Sequence, residues 1–89
     1  MTFEEIANIG LDQQMDAIWE WGFYVGKSSE STSNKVLYAL NGYFVEVTME
    51  ITTNKTLVIE PYHLLSTQIL KRYSLNMSNP FVQAANGNT

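Results

Sequence analysis

The segment VLYALNGYFVEV, residues 36–47, constrains the fold more than any other part of the chain. Two runs of alternating apolar side chains flank Asn41-Gly42. Asn-Gly between such runs is the strongest short-range signal for a β-hairpin, because a type I′ turn needs positive φ at both central residues. A slip of one residue would move the whole apolar set to the other face, so the register is strongly specified. The predicted pairs are Leu40–Tyr43, Tyr38–Val45 and Val36–Val47.

A second hairpin is predicted to follow the first. The loop 52–54 places Asn54 in the left-handed conformation that a three-residue hairpin loop requires, and a strand follows at 56–60. This loop length keeps Glu60 off the apolar face, whereas a two-residue loop would bury it. The predicted pairs are Met49–Leu57 and Val47–Ile59.

The N-terminal third of the chain predicts one long helix. Thr2 and Glu5 have the spacing of a capping box, so the helix is expected to begin at once. It continues to Trp21, with Gly10 as a weak point inside it and Gly22 ending it in the left-handed conformation. Its expected apolar stripe consists of Leu11, Met15, Ile18 and Trp19. A short strand at 23–27 and a polar loop at 28–34 follow.

The complete order of elements predicts an α+β fold. Pro61 is expected to end the last strand and to open a helix over residues 62–73. A helix, about four strands and a second helix then give a two-layer sandwich, an antiparallel meander with the N- and C-terminal helices on one face. A length of 89 residues suits one domain. We assign residues 1–78 to that domain and 79–89 to a C-terminal tail that is a short helix or disordered.

The hairpin register predicts an apolar patch on the face that points away from both helices. It consists of Leu37, Ala39, Phe44 and Val58, where a solvated face should carry polar residues. Three alternatives account for it. The C-terminal tail covers it, two copies of the chain associate through it about a two-fold axis, or it faces another partner or plain solvent. For the first alternative, the covering residues would be Leu75, Met77, Phe81 and Val82.

Composition and charge narrow the class of function. The net charge is −4 and only five Lys and Arg residues are present, scattered along the chain, which disfavours binding to nucleic acid or to an anionic membrane. Cysteine is absent, so disulfides and thiolate metal sites are excluded. Two glutamates in the first five residues, together with the lack of a long apolar run, predict a soluble, cytoplasmic protein.

Few residues are candidates for chemistry. Glu46 and Glu60 are expected to face each other across neighbouring strands beside Lys35, either sharing a proton or a cation or, as we prefer, exposed and weakly repelling. His63 has no nucleophile at a recognised spacing and is expected at the surface. Large aromatic residues are expected mainly in the core, with Trp21 and Tyr24, and less clearly Tyr62, as exposed candidates. We predict no catalytic residue, no cofactor and no metal site.

These observations favour a non-enzymatic protein-interaction module. The expected partner is a second copy of the chain, in a homodimer, or another protein, and the expected contact surface is the patch Leu37, Ala39, Phe44 and Val58. Two alternatives stay open. One is an acidic inhibitor or immunity-type protein that binds a basic partner. The other is a small-ligand-binding or enzymatic domain, which would need a cavity lined by Trp19, Tyr38 and His63.

Overall fold

The computed structural model describes residues 1–29 and 33–75. In chain order its elements are α1 (Phe3–Ala7), α2 (Leu11–Trp21), β1 (Phe23–Ser29), β2 (Ser33–Leu40), β3 (Tyr43–Glu50), β4 (Thr56–His63) and α3 (Thr67–Arg72). The four strands form one antiparallel sheet in the order β1-β2-β3-β4. The predicted α+β fold with an antiparallel meander is therefore confirmed.

Local turn chemistry sets both predicted hairpins. Gly42 has a φ of 85°, and all three predicted pairs between β2 and β3 are present. Asn41, however, is not among the described residues with positive φ, so the predicted type I′ turn, which needs positive φ at both central residues, is wrong. Asn54 has a φ of 58°, as predicted, but β3 ends at Glu50 and β4 begins at Thr56, so the connection is longer than the predicted loop 52–54. Val47 lies opposite Ile59, but a register shift after Thr48 places Met49 opposite Thr56. The predicted pairing of Met49 with Leu57 is wrong for this reason, and Leu57 is exposed.

The N-terminal helix is divided in two. The predicted capping box is formed, since the Thr2 hydroxyl accepts from the Glu5 amide at 3.2 Å and the Glu5 carboxylate accepts from the Thr2 amide at 2.7 Å. Hydrogen bonding of the Glu5 carboxylate with the Thr2 amide, and to a smaller extent with the Thr2 side chain, lowers the pKa of Glu5. However, α1 ends at Ala7, and Gly10 is the N-cap of α2 instead of an interior residue. Gly22 ends α2 as predicted, but in an extended conformation with φ −84°.

The break between α1 and α2 changes which side of α2 is buried. The side-chain amide of Gln14 donates to the Ile6 carbonyl at 2.8 Å, which joins α2 to the end of α1. Gln14, Ala17 and Ile18 are the buried residues of α2. A polar residue is acceptable there because its amide is hydrogen-bonded.

The sheet is covered on both faces. On one face, α1 and α2 pack over a cluster that contains Leu40, Tyr43, Val45, Val47 and Ile59. On the other, Ile69 and Leu70 of α3 pack against residues of β2 and β3. The prediction that the N- and C-terminal helices share one face is therefore wrong.

The position of α3 follows from the length of β4. Pro61 lies within β4 opposite Val45 and does not end the strand, which continues to His63. β4 is an edge strand, where a proline can be tolerated because one side of the strand has no ladder to complete. The helix predicted over 62–73 consequently begins only at Thr67, after the Ser66 cap, whose hydroxyl accepts from the Ile69 amide.

The connection between β1 and β2 is shorter than the loop predicted at 28–34, because β1 continues to Ser29 and β2 begins at Ser33. The domain boundary at residue 78 and the tail 79–89 lie outside the described residues. Across the described ranges, no helix has both the length and the apolar character that a membrane crossing requires.

Candidate interaction surface

The patch predicted from the hairpin register is covered by α3. Leu37 and Phe44 are 0% exposed and Ala39 is buried, in a cluster with Ile69 and Leu70. The predicted exposure of Leu37, Ala39 and Phe44 is therefore wrong, and of the four patch residues only Val58 is exposed. The physical reason is that α3 crosses to this face and places its apolar side chains on it.

Residues that follow β4 therefore cover the apolar patch, which is one of the alternatives that the sequence suggested for the C-terminal tail. Leu64, Tyr73 and Leu75 pack against the same cluster as partly buried side chains. Leu75 was among the predicted covering residues. The other three, Met77, Phe81 and Val82, lie outside the described residues.

A buried carboxylate anchors α3 to the sheet. Glu46 is 1% exposed, and Arg72 Nη1 donates to its Oε1 and Oε2 at 2.7 and 2.6 Å. The Tyr73 hydroxyl donates to Oε2 at 2.8 Å, and Lys35 Nζ lies 3.9 Å from Oε1. The hydrogen bond to Glu46 raises the pKa of Arg72. These hydrogen bonds satisfy the buried charge of Glu46 and tie the end of α3 to β3, so the arrangement is a structural anchor.

This anchor corrects the prediction of two exposed carboxylates. Glu46 does lie opposite Glu60 in the register, and Lys35 is close, as expected. Only Glu60 is exposed, however, and the Glu46 carboxylate is occupied by Arg72. Sequence reasoning missed Arg72 because it lies 26 residues away along the chain. Within residues 1–29 and 33–75, no three His, Asp or Glu side chains are grouped to hold a metal ion.

The one histidine and the described surface depression lie near the N-terminus. His63 ends β4, is exposed as predicted, and stacks on Phe3 with ring centroids 4.3 Å apart. An open depression of about 370 Å³ is lined by Met1, Trp21, Leu40 and Asn41. It is not the cavity of Trp19, Tyr38 and His63 that a ligand-binding or enzymatic domain would need, and its lining contains no titratable side chain.

The exposed aromatic residues concentrate where α2 meets β1. We call the segment 19–24, with sequence WEWGFY, the aromatic junction. Trp19 is 91% exposed, Trp21 52%, Phe23 75% and Tyr24 62%. Trp21 and Tyr24 were predicted to be exposed, and this is confirmed. The expectation that Trp19 is buried is wrong.

The fold explains why these side chains point outward. α2 buries the stripe of Gln14 and Ile18, so that the neighbouring stripe of Leu11, Met15 and Trp19, at i, i+4 and i+8, stays partly or wholly exposed. β1 is an edge strand, and its first two residues pair with Ala39 and Tyr38 and so point to opposite sides of the sheet.

Tyr24 contacts Tyr38 edge-on, with ring centroids 6.2 Å apart. Such a contact holds one side of the Tyr24 ring and leaves the rest available.

No family model, no curated protein and no solved structure matches the chain. Function is therefore inferred from the surface itself.

Proposed function

We propose that this chain is a non-enzymatic protein-interaction module whose contact surface is the aromatic junction. The observation that carries the proposal is that all four aromatic side chains of this segment are more than half exposed. Fully burying one large aromatic side chain is worth roughly 3 kcal/mol, and the free chain forgoes more than half of this at each of four positions within six residues. Protein interfaces are enriched in such side chains, whereas scattered single exposures are ordinary.

The proposed contact surface is the aromatic junction, in place of the covered patch predicted from the sequence. An interaction role and a cytoplasmic location are still expected, and the partner is either a second copy of the chain or another protein. The acidic inhibitor or immunity-type protein that binds a basic partner is kept as a second candidate, because α2 carries Asp12, Asp16 and Glu20 and no basic residue.

Site-specific photo-crosslinking tests the proposal. A benzophenone amino acid replaces Phe23 in the full chain, and a control chain carries it in place of Thr52, which is exposed in the turn between β3 and β4. After irradiation in cells, we expect one discrete adduct from position 23 and none from position 52.

The mass of the adduct identifies the occupant. An adduct of twice the chain mass would show a homodimer, and any other discrete mass would show a different protein. Identical adducts from both positions, or no adduct from position 23, would contradict the proposal.

A further inference from the structure

The outer side of α2 carries an apolar stripe and an acidic stripe next to each other. Successive residues of a helix are about 100° apart, so Leu11, Met15 and Trp19 fall on one line along α2. Each of these residues is followed by an acidic residue. The acidic residues therefore form a second line, about 100° farther round the axis of α2 and away from the sheet. These acidic residues are Asp12, Asp16 and Glu20, and all three are exposed.

The acidic stripe is not neutralised within the described part of the chain. The two ion pairs found there both use Glu46, with Lys35 and with Arg72. α2 therefore contributes three negative charges and no positive charge to a chain whose net charge is −4. The electric field of three like charges attracts cations and repels anions over a distance of about 10 Å, which is the Debye length at ordinary ionic strength.

We propose that α2 docks a cationic partner, a polypeptide segment whose apolar side chains cover Leu11, Met15 and Trp19 while its Lys or Arg residues face the acidic stripe. The inference deepens the proposed function and rests on it, since Trp19 belongs to the aromatic junction. The apolar stripe supplies contact area, and the charges supply partner choice and association rate.

Charge also decides between a basic partner and a second copy at this surface. Two α2 helices that packed along their apolar stripes would bring three negative charges close to three others, and α2 has no basic residue to offset them. Like charges held close together disfavour such a contact, whereas a basic segment gains from the same field. A second copy is therefore the outcome that the test must separate.

The probe is a synthetic cationic peptide of about 14 residues, with Leu and Lys at helical spacing and blocked ends. Its matched control has Glu in place of every Lys. Binding to the full chain is measured by fluorescence anisotropy of the labelled peptide at low and at high salt. We expect the Lys peptide to bind with a dissociation constant below about 100 µM, to weaken with salt, and to bind more tightly than the Glu peptide.

Three variants locate the binding. Asp16→Asn should raise the dissociation constant about two- to fivefold, as the loss of one exposed charge pair does. Trp19→Ala should raise it about 30-fold or more, as the loss of a central aromatic contact does. Glu60→Gln makes a matched charge change on β4 and should leave binding nearly unchanged, because Glu60 lies opposite Glu46 on the face of the sheet that α3 covers, away from α2. Far-UV circular dichroism checks that each variant is folded.

Two results would overturn the inference. One is binding that ignores Asp16→Asn and Trp19→Ala or that is equally tight for the Glu peptide. The other is a light-scattering mass of two chains that Trp19→Ala returns to one chain, since α2 would then be occupied by a second copy. A discrete adduct from position 23 combined with either result leaves the interaction role standing and removes the cationic class of partner.

Discussion

Gly22 shows how one residue without a side chain sets the path from α2 into β1. A Cβ atom there would lie 2.6 Å from the Ile18 carbonyl oxygen, although the φ of −84° suits any residue. The glycine is therefore required by space. We expect Gly22→Ala to lower the free energy of unfolding by about 1 to 3 kcal/mol, as overpacking typically does. Urea unfolding followed by far-UV circular dichroism measures this change.

Gly10 is the matched control for Gly22. A Cβ atom at Gly10 would meet nothing within 4 Å, and the residue is the N-cap of α2 without a side chain to serve as a cap. Gly10→Ser should therefore raise the free energy of unfolding by a few tenths of a kcal/mol. Equal effects of the two substitutions would show that crowding against Ile18 is not the cause.

At the scale of the element, α3 depends on the anchor at Glu46. Arg72→Met leaves a carboxylate that is 1% exposed without its guanidinium, and we expect the free energy of unfolding to fall by about 2 to 4 kcal/mol. Replacing the pair together, as in Glu46→Leu with Arg72→Met, should cost clearly less than the sum of the single changes, because the buried carboxylate is removed together with its guanidinium and only the partly exposed Lys35 loses an ion-pair partner. Urea unfolding of the two single variants and the double variant gives the coupling. Strict additivity would contradict an ionic anchor.

The same anchor controls an apolar surface. Leu37, Ala39 and Phe44 are buried beneath α3, and Leu64, Tyr73 and Leu75 on either side of that helix pack against the same cluster. The face that the hairpin pattern marks as apolar therefore belongs to the core, and a helix of six residues supplies the buried part of its cover.

For the molecule as a whole, we expect two tyrosines to make the free energy of unfolding fall at alkaline pH. Burial, and to a smaller extent Glu5, raises the pKa of Tyr43, and burial followed by Glu60 raises that of Tyr62. The unfolded chain then releases these protons at lower pH than the folded chain. The free energy of unfolding should hold below the unfolded tyrosine pKa of about 10 and decline as pH rises through the higher folded values. Urea unfolding across this range measures the decline, which Tyr43→Phe and Tyr62→Phe should each reduce. A slope that survives both substitutions would rule out these tyrosines as its source.

The sequence predicts the parts of this molecule that short-range chemistry controls. The turn at Gly42, the left-handed Asn54 and the Thr2–Glu5 cap each follow from a few adjacent residues, and with them the meander. The side of the sheet that α3 covers, and the rotation of α2 that buries Gln14, depend on contacts between distant segments. Local pattern carries no record of those contacts. The candidate surface could be predicted only in part for the same reason, since the apolar stripe of α2 is visible in the sequence but its outward direction is not.

The exposure of the aromatic junction has a spectroscopic consequence. The chain has two tryptophans, Trp19 and Trp21, and both are more than half exposed. The indole ring of Trp19 already meets water in the folded state, so unfolding changes its surroundings little, whereas the half-exposed ring of Trp21 still has buried surface to lose. A molecule seated on α2 would instead remove water from Trp19 and shift its emission to shorter wavelengths. The emission of Trp19 would therefore report a molecule bound at α2 more directly than it reports unfolding.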